Sequence, residues 1–143
     1  MEVFRNPSKE SVLNLLASCD LPTGDLDNLD CRYFLGVGDN DSLKGVVGSE
    51  LYGECALLRS LAVLASARLE GIGASLLSTQ EKFLSEAGVT SVYLLTDTAQ
   101  QYFRKFGYCE ISRNEAPVSI QNTKQFSGLC GKNAVFMIKK LAK

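Results

Sequence analysis

An apolar run, Leu57-Leu58-Arg59-Ser60-Leu61-Ala62-Val63-Leu64, breaks into Arg68-Leu69-Glu70-Gly71-Ile72-Gly73 and then into a helical pattern. Glycines on either side of Ile72 let the backbone turn and approach a ligand without a Cβ clash. The helix behind them presents unpaired N–H groups, so the stretch reads as an anion cradle suited to phosphate. Arg59 interrupts the apolar residues, and strand alternation places it on the face of Leu57 and Leu61. A buried guanidinium requires a carboxylate or an anionic ligand. Two outcomes stay open for it: recognition of an acidic group on a substrate, or an internal ion pair with Glu54, Asp25 or Glu110.

Composition narrows the chemistry. The chain has 143 residues, is 45% hydrophobic and 22% charged, and carries a formal charge of −1. That length and balance fit one globular domain over residues 1–143. The near-zero charge supplies no long-range pull on nucleic acid or anionic lipid, so phosphate affinity has to be local. There is no histidine. A histidine base is therefore excluded, and a conventional zinc site or a Ser-His-Asp triad is argued against, so no metal is expected. Cys19, Cys31, Cys55, Cys109 and Cys130 form no C-x-x-C pair and are odd in number, which predicts free thiols. Met1-Glu2-Val3-Phe4-Arg5-Asn6 lacks the apolar core of a signal peptide and no apolar run reaches membrane length, which predicts a cytoplasmic protein.

The elements that must position the cradle follow from periodicity. Ser8 caps a predicted helix over Lys9 to Cys19, with Val12, Leu15, Leu16 and Cys19 on one face. Cys31 to Val37 and Leu43 to Leu51 read as a hairpin around Asp39-Asn40-Asp41-Ser42, and Glu54 to Leu64 as the next antiparallel strand. From Gly73 a helix carries Leu76, Leu77, Phe83, Leu84 and Ala87 inward, with Gln80, Glu81, Lys82 and Glu86 as polar positions, and Gly88 closes it. Ser91 to Thr96 is a buried strand, and strand-helix-strand makes it parallel to Leu57–Val63. A short helix around Ala99 to Phe106 ends at Gly107. Strand residues near Tyr108 to Ser112, a helical turn started by Pro117, and a last strand over Asn133 to Lys140 complete the pattern.

The order of elements, the Arg-x-x-Gly-x-Gly spacing at Arg68, Gly71 and Gly73, and the Ala99 to Tyr108 segment resemble the GNAT superfamily of acetyl-CoA-dependent N-acetyltransferases. Leu57 to Val63, Tyr93 to Thr96 and Gln125 to Cys130 are most similar to a small arsenic-resistance group within it. Family members usually have Gly where this chain has Leu69 and Pro where it has Ala65. The resemblance implies an α+β fold: a mostly antiparallel sheet with one parallel pair splayed at the cofactor site, and helices on both faces.

It also implies roles. The amides of Arg68, Leu69, Glu70, Gly71, Ile72, Gly73 and Ala74 would hold the pyrophosphate of acetyl-CoA, with Leu61 and Val63 hydrogen-bonding the pantetheine arm. The Leu61 N–H would serve as oxyanion donor to the thioester carbonyl, worth on the order of 100-fold in rate. Direct attack by an amine then needs no acylated side chain, which a histidine-free enzyme can satisfy. The tyrosine that protonates the leaving thiolate in relatives aligns with Phe103, which would instead pack on the cofactor arm. Tyr102 is a weaker acid candidate, because it lies about 100° away around the helix. Glu54 is the first base candidate, against a plain exposed strand end. Arg59 would face the acceptor. The implied reaction is acetylation of a small, anionic amine, amino-acid-like or metalloid-related. The alternatives are a protein N-terminal or lysine acetyltransferase, and a non-catalytic acetyl-CoA sensor. The terminal strand often mediates homodimers in the family.

Overall fold

The computed structural model describes residues 2–19, 33–39, 42–68, 70–97, 99–123, 126 and 134–141. Its strands are β1 (Val3–Arg5), β2 (Leu35–Asp39), β3 (Ser42–Tyr52), β4 (Cys55–Val63), β5 (Ser91–Thr96), β6 (Cys109–Glu110) and β7 (Val135–Lys140). Its helices are α1 (Lys9–Ser18), α2 (Ile72–Glu86), α3 (Gln100–Arg104) and α4 (Val118–Gln121). The strands hydrogen-bond in the order β1-β2-β3-β4-β5-β7-β6. Pairs β1–β2, β2–β3, β5–β7 and β6–β7 are antiparallel, and β4–β5 is parallel. This is the mixed α+β fold that the resemblance implies, with the parallel pair that the strand-helix-strand pattern predicts. Contacts divide the chain into two compact units, Met1–Ser49 with Arg59–Leu84, and Glu50–Leu58 with Ser85–Lys143.

In the first unit, Ser8 caps α1 as expected: its backbone is extended and its Oγ accepts the Ser11 N–H at 3.2 Å. Val12, Leu15 and Leu16 then bury against Phe34, Leu43, Val46 and Ala62. The other face of β3 carries α2. A Cβ added at Gly45 would lie 2.6 Å from Ile72 Cγ2, so hydrogen at this position is what lets α2 sit down on the strand. Gln80, assigned to the polar face by periodicity, is instead fully buried. Its Nε2 donates to the Tyr33 carbonyl at 2.8 Å and to Ser49 Oγ, tying α2 to β3. Gln80→Ala leaves a cavity and strips both acceptors of their donor. Chemical denaturation should show a loss of about 3 kcal/mol.

Three features of this unit escaped the pattern. Strand β1 exists through its register with β2, Phe4 opposite Gly36. Strand β2 begins and ends later than Cys31–Val37, and Cys31 lies outside the described residues. A 3-10 turn, Ala65–Ala67, separates β4 from the glycine loop.

The second unit is built on β5 and β7, whose register runs from Ser91↔Lys140 to Thr96↔Val135. Leu57, Tyr93, Ala116, Ile120 and Phe136 form its core. Tyr93 stacks on Phe136 at 5.4 Å and 9°, and Phe126 meets Phe136 edge-on at 5.3 Å. Gly88 and Gly107, with φ of 95° and 94°, take the left-handed conformation that ends α2 and α3. Pro117 precedes α4 as predicted. The predicted start of β7 at Asn133 lies outside the described residues, as does the tail Gln125, Ser127 to Cys130. Cys19, Cys55 and Cys109 are free thiols, in line with the expectation; Cys130 also lies outside the described residues.

Candidate active site

The site begins where β4 loses its regular pleat. Ser60 has φ of 60°, a left-handed conformation that a non-glycine residue adopts at a cost of about 1 kcal/mol. The break interrupts β4 within the first unit. It also corrects the face assignment, because simple alternation from Leu57 through Arg59 no longer reaches Leu61. Leu61 and Val63 are half-buried, whereas Ala62 points into the α1 core.

Arg59 is 3% exposed, and its Nε donates to Ser60 Oγ at 3.1 Å. The guanidinium thus braces the residue that breaks the strand, and it holds a further interaction within the chain. Of the three predicted carboxylate partners, Glu110 pairs with Arg104 at 3.7 Å, Glu54 is exposed, and Asp25 lies outside the described residues.

Beyond β4 the chain makes its 3-10 turn, and Arg68 Nε reaches back to the Val63 carbonyl at 3.2 Å. That bond clips the loop to the strand end and occupies the carbonyl of Val63. Gly71 follows with φ of 78°, is exposed, and a Cβ there would meet nothing within 4 Å. The first helical bond runs from the Ser75 N–H to the Gly71 carbonyl at 3.1 Å. The amides of Ile72, Gly73 and Ala74 therefore precede the hydrogen-bond ladder of α2, and no acidic side chain sits in this first turn. The positive end of the α2 dipole is left for an anion. Leu69 lies outside the described residues. A cavity of about 440 Å³ adjoins the loop, lined by Asp39, Ser42, Lys44, Leu64, Ser66 and Glu70 among others. The open approach at Gly71 and the first-turn amides of α2 fit a diphosphate.

The remaining candidates belong to the second unit. Phe103 is buried, with Tyr102 and Tyr108 packed edge-on at 5.6 and 5.7 Å. Tyr102 is half-buried against Phe106, and burial raises its hydroxyl above the ordinary phenol range, which makes it a poorer proton donor. Glu54 sits in the turn before β4, at the opposite end of that strand from Val63. Its carbonyl accepts the Thr90 N–H at 2.7 Å while its side chain faces solvent. Strands β4 and β5 pair at Cys55↔Ser91, Ala56↔Val92 and Leu57↔Tyr93, and both continue past that last rung, β4 to Val63 and β5 to Thr96.

The second unit thus holds a parallel strand pair, and the first a glycine loop feeding a helix. A family model described as the acetyltransferase (GNAT) family matches residues 6–108. The chain belongs to this family. An uncharacterized N-acetyltransferase of Chlorobaculum tepidum is 43% identical over 65 residues, covering 46% of this chain and 41% of that protein. Among solved structures, N-acetylglutamate synthase from Neisseria gonorrhoeae, complexed with coenzyme A and N-acetyl-glutamate, superposes with a TM-score of 0.83 at 17% identity. The match covers 100% of this chain and 36% of the synthase. A GNAT-family acetyltransferase from Staphylococcus aureus Mu50 gives 0.80 at 19% identity, covering 99% of each chain. This GNAT chain thus spans less than half the length of the curated relative and of the synthase. Among the described residues no helix is long and apolar enough to cross a membrane.

Sequence reasoning found the glycine loop because its signal is local. The Ser60 break was missed: serine carries no preference for positive φ, and only the buried Arg59 beside it hints that this strand is irregular.

Proposed function

We propose that this GNAT chain is an acetyl-CoA-dependent N-acetyltransferase acting on a small amine that carries an anionic group. The observation that carries the cofactor half is the Arg68–Ala74 turn, where Gly71 stands open and the first-turn amides of α2 await an anion. With the pyrophosphate there, the pantetheine arm follows β4 past the break at Ser60, and the Leu61 N–H serves as oxyanion donor. The acceptor nitrogen attacks the thioester carbonyl, the C–S bond breaks, and coenzyme A leaves as thiolate. The amine gives up its proton to water, and water protonates the thiolate; no side chain needs to be acylated.

The acceptor half rests on Arg59, a guanidinium kept inside β4 where an acidic substrate group can join its network. The neighbouring synthase is consistent with that class, since its bound N-acetyl-glutamate is an acetylated dicarboxylic amine. Phe103 in place of an acid favours one second reading, a protein that binds acetyl-CoA without turnover.

Calorimetry with acetyl-CoA, followed by thiol release with the twenty amino acids, spermidine, kanamycin and a tetrapeptide, tests both halves. Saturable binding and release driven by acidic amino acids are expected. Binding without release from any amine would favour the sensor, and absence of binding would remove the acetyltransferase reading altogether.

A further inference from the structure

We propose that the cavity beside the glycine loop receives the 3′-phosphorylated ribose of coenzyme A, with Lys44 as the contact for its phosphate. The inference rests on the acetyltransferase reading and adds a specificity-determining residue to it. The cavity, about 440 Å³, is of small-molecule size, and its described lining lies wholly within the first unit, as the glycine loop does. Glu70, part of that lining, immediately precedes Gly71. In coenzyme A a single methylene joins the pyrophosphate to the ribose. A pyrophosphate on the first-turn amides of α2 therefore brings the ribose into the space beside the loop.

The backbone is shaped to put a lysine there. Val37 pairs with Gly45 but Gly38 pairs with Leu43, which leaves Lys44 as the extra residue of a bulge in β3. A bulge breaks the ladder and re-aims the side chain it carries. Gly38, with φ of 103°, makes room for it: a Cβ there would lie 2.9 Å from the Lys44 nitrogen and 3.3 Å from its Cγ. The Lys44 carbonyl accepts the Leu64 N–H at 2.8 Å, which fastens the bulge to the end of β4. Among the described lining residues Lys44 carries the positive charge, Asp39 and Glu70 the negative, and Ser42 and Ser66 add hydroxyls. A bare phosphate would meet two carboxylates along with the ammonium. A phosphorylated ribose suits the mixture, because its phosphate can take Lys44 and the hydroxyls while its own free hydroxyl donates to a carboxylate.

Calorimetry with acetyl-CoA and acetyl-dephospho-CoA, which differ only in the 3′-phosphate, tests the assignment. Lys44 is exposed, so Lys44→Met keeps the bulge and its backbone bond. The parent should bind acetyl-CoA about 10-fold more tightly than the dephospho compound, and Lys44→Met should bring the two within about twofold by weakening acetyl-CoA alone. Lys82→Met removes the same charge about 15 Å along α2 from Ile72, beyond the screening length of about 8 Å at physiological salt, and should keep the parent's preference. Adenosine 3′,5′-bisphosphate should compete with acetyl-CoA; its binding alongside saturating acetyl-CoA would mark a separate nucleotide site and overturn the inference. Equal binding of the two acetyl donors by the parent, or a preference that survives Lys44→Met, also overturns it and leaves the pyrophosphate cradle intact. A parent protein that binds neither donor fails at the acetyltransferase reading itself, and the inference falls with it.

Discussion

Gly71→Asp should weaken coenzyme A binding by about 100-fold, roughly 2.7 kcal/mol, while the protein stays folded. The two halves of that expectation come from different physics. A Cβ at this position meets nothing within 4 Å, so the side chain has room. The φ of 78° is left-handed, where Asp is among the residues tolerated best, at about 1 kcal/mol. Part of that cost returns, because a carboxylate at the start of α2 interacts favourably with the helix dipole, by about 0.3–1 kcal/mol. The same carboxylate then sits at the proposed pyrophosphate site, and the amides that would hold phosphate are offered to an internal anion. Gly71→Asn shares the backbone strain and lacks the charge. Calorimetry should find the Asn variant within a few-fold of the parent and the Asp variant far weaker. Equal affinities for the two would place the diphosphate elsewhere.

The same loop shows what a sequence discloses. Helix α2 and strand β5 were legible because their signals are repeated: apolar residues at helical spacing from Ile72 to Leu84, and a continuous apolar run from Val92 to Leu95. Gly88 was legible because a left-handed residue ending a helix is nearly always glycine. Strand β1 was not, since Val3–Arg5 is too short to show a period and is a strand only by virtue of its partner. Ser60 and Gln80 share a deeper reason. Each goes against its local preference, serine by taking positive φ and glutamine by burying an amide, and each does so because a distant or neighbouring polar group compensates. Such compensation is a property of the packed protein, invisible to any window of sequence.

Two alanine substitutions on opposite faces of β3 should separate stability from cofactor binding. At Gly48 an added Cβ would lie 2.4 to 2.7 Å from three ring atoms of Phe34, a side chain with no exposure, set in the α1 core. A ring in a filled core has nowhere to move. Gly48→Ala should cost about 3 kcal/mol, a fall of about 10 °C in Tm. At Gly45 the added Cβ would lie 2.6 Å from Ile72 Cγ2 and 3.1 Å from Leu76 Cδ1. Leu76 can swing its terminal methyl aside, but Cγ2 of Ile72 is fixed close to the helix backbone, so the first turn of α2 has to lift. That turn carries the amides assigned to the pyrophosphate. Gly45→Ala should therefore lower Tm and weaken coenzyme A binding together, by about 10-fold, whereas Gly48→Ala should leave the affinity of the folded fraction near that of the parent. If both variants lost stability and neither changed the Kd, the start of α2 would not be the phosphate site, because a shift of the cradle by even a few tenths of an ångström changes hydrogen bonds that depend on distance and angle.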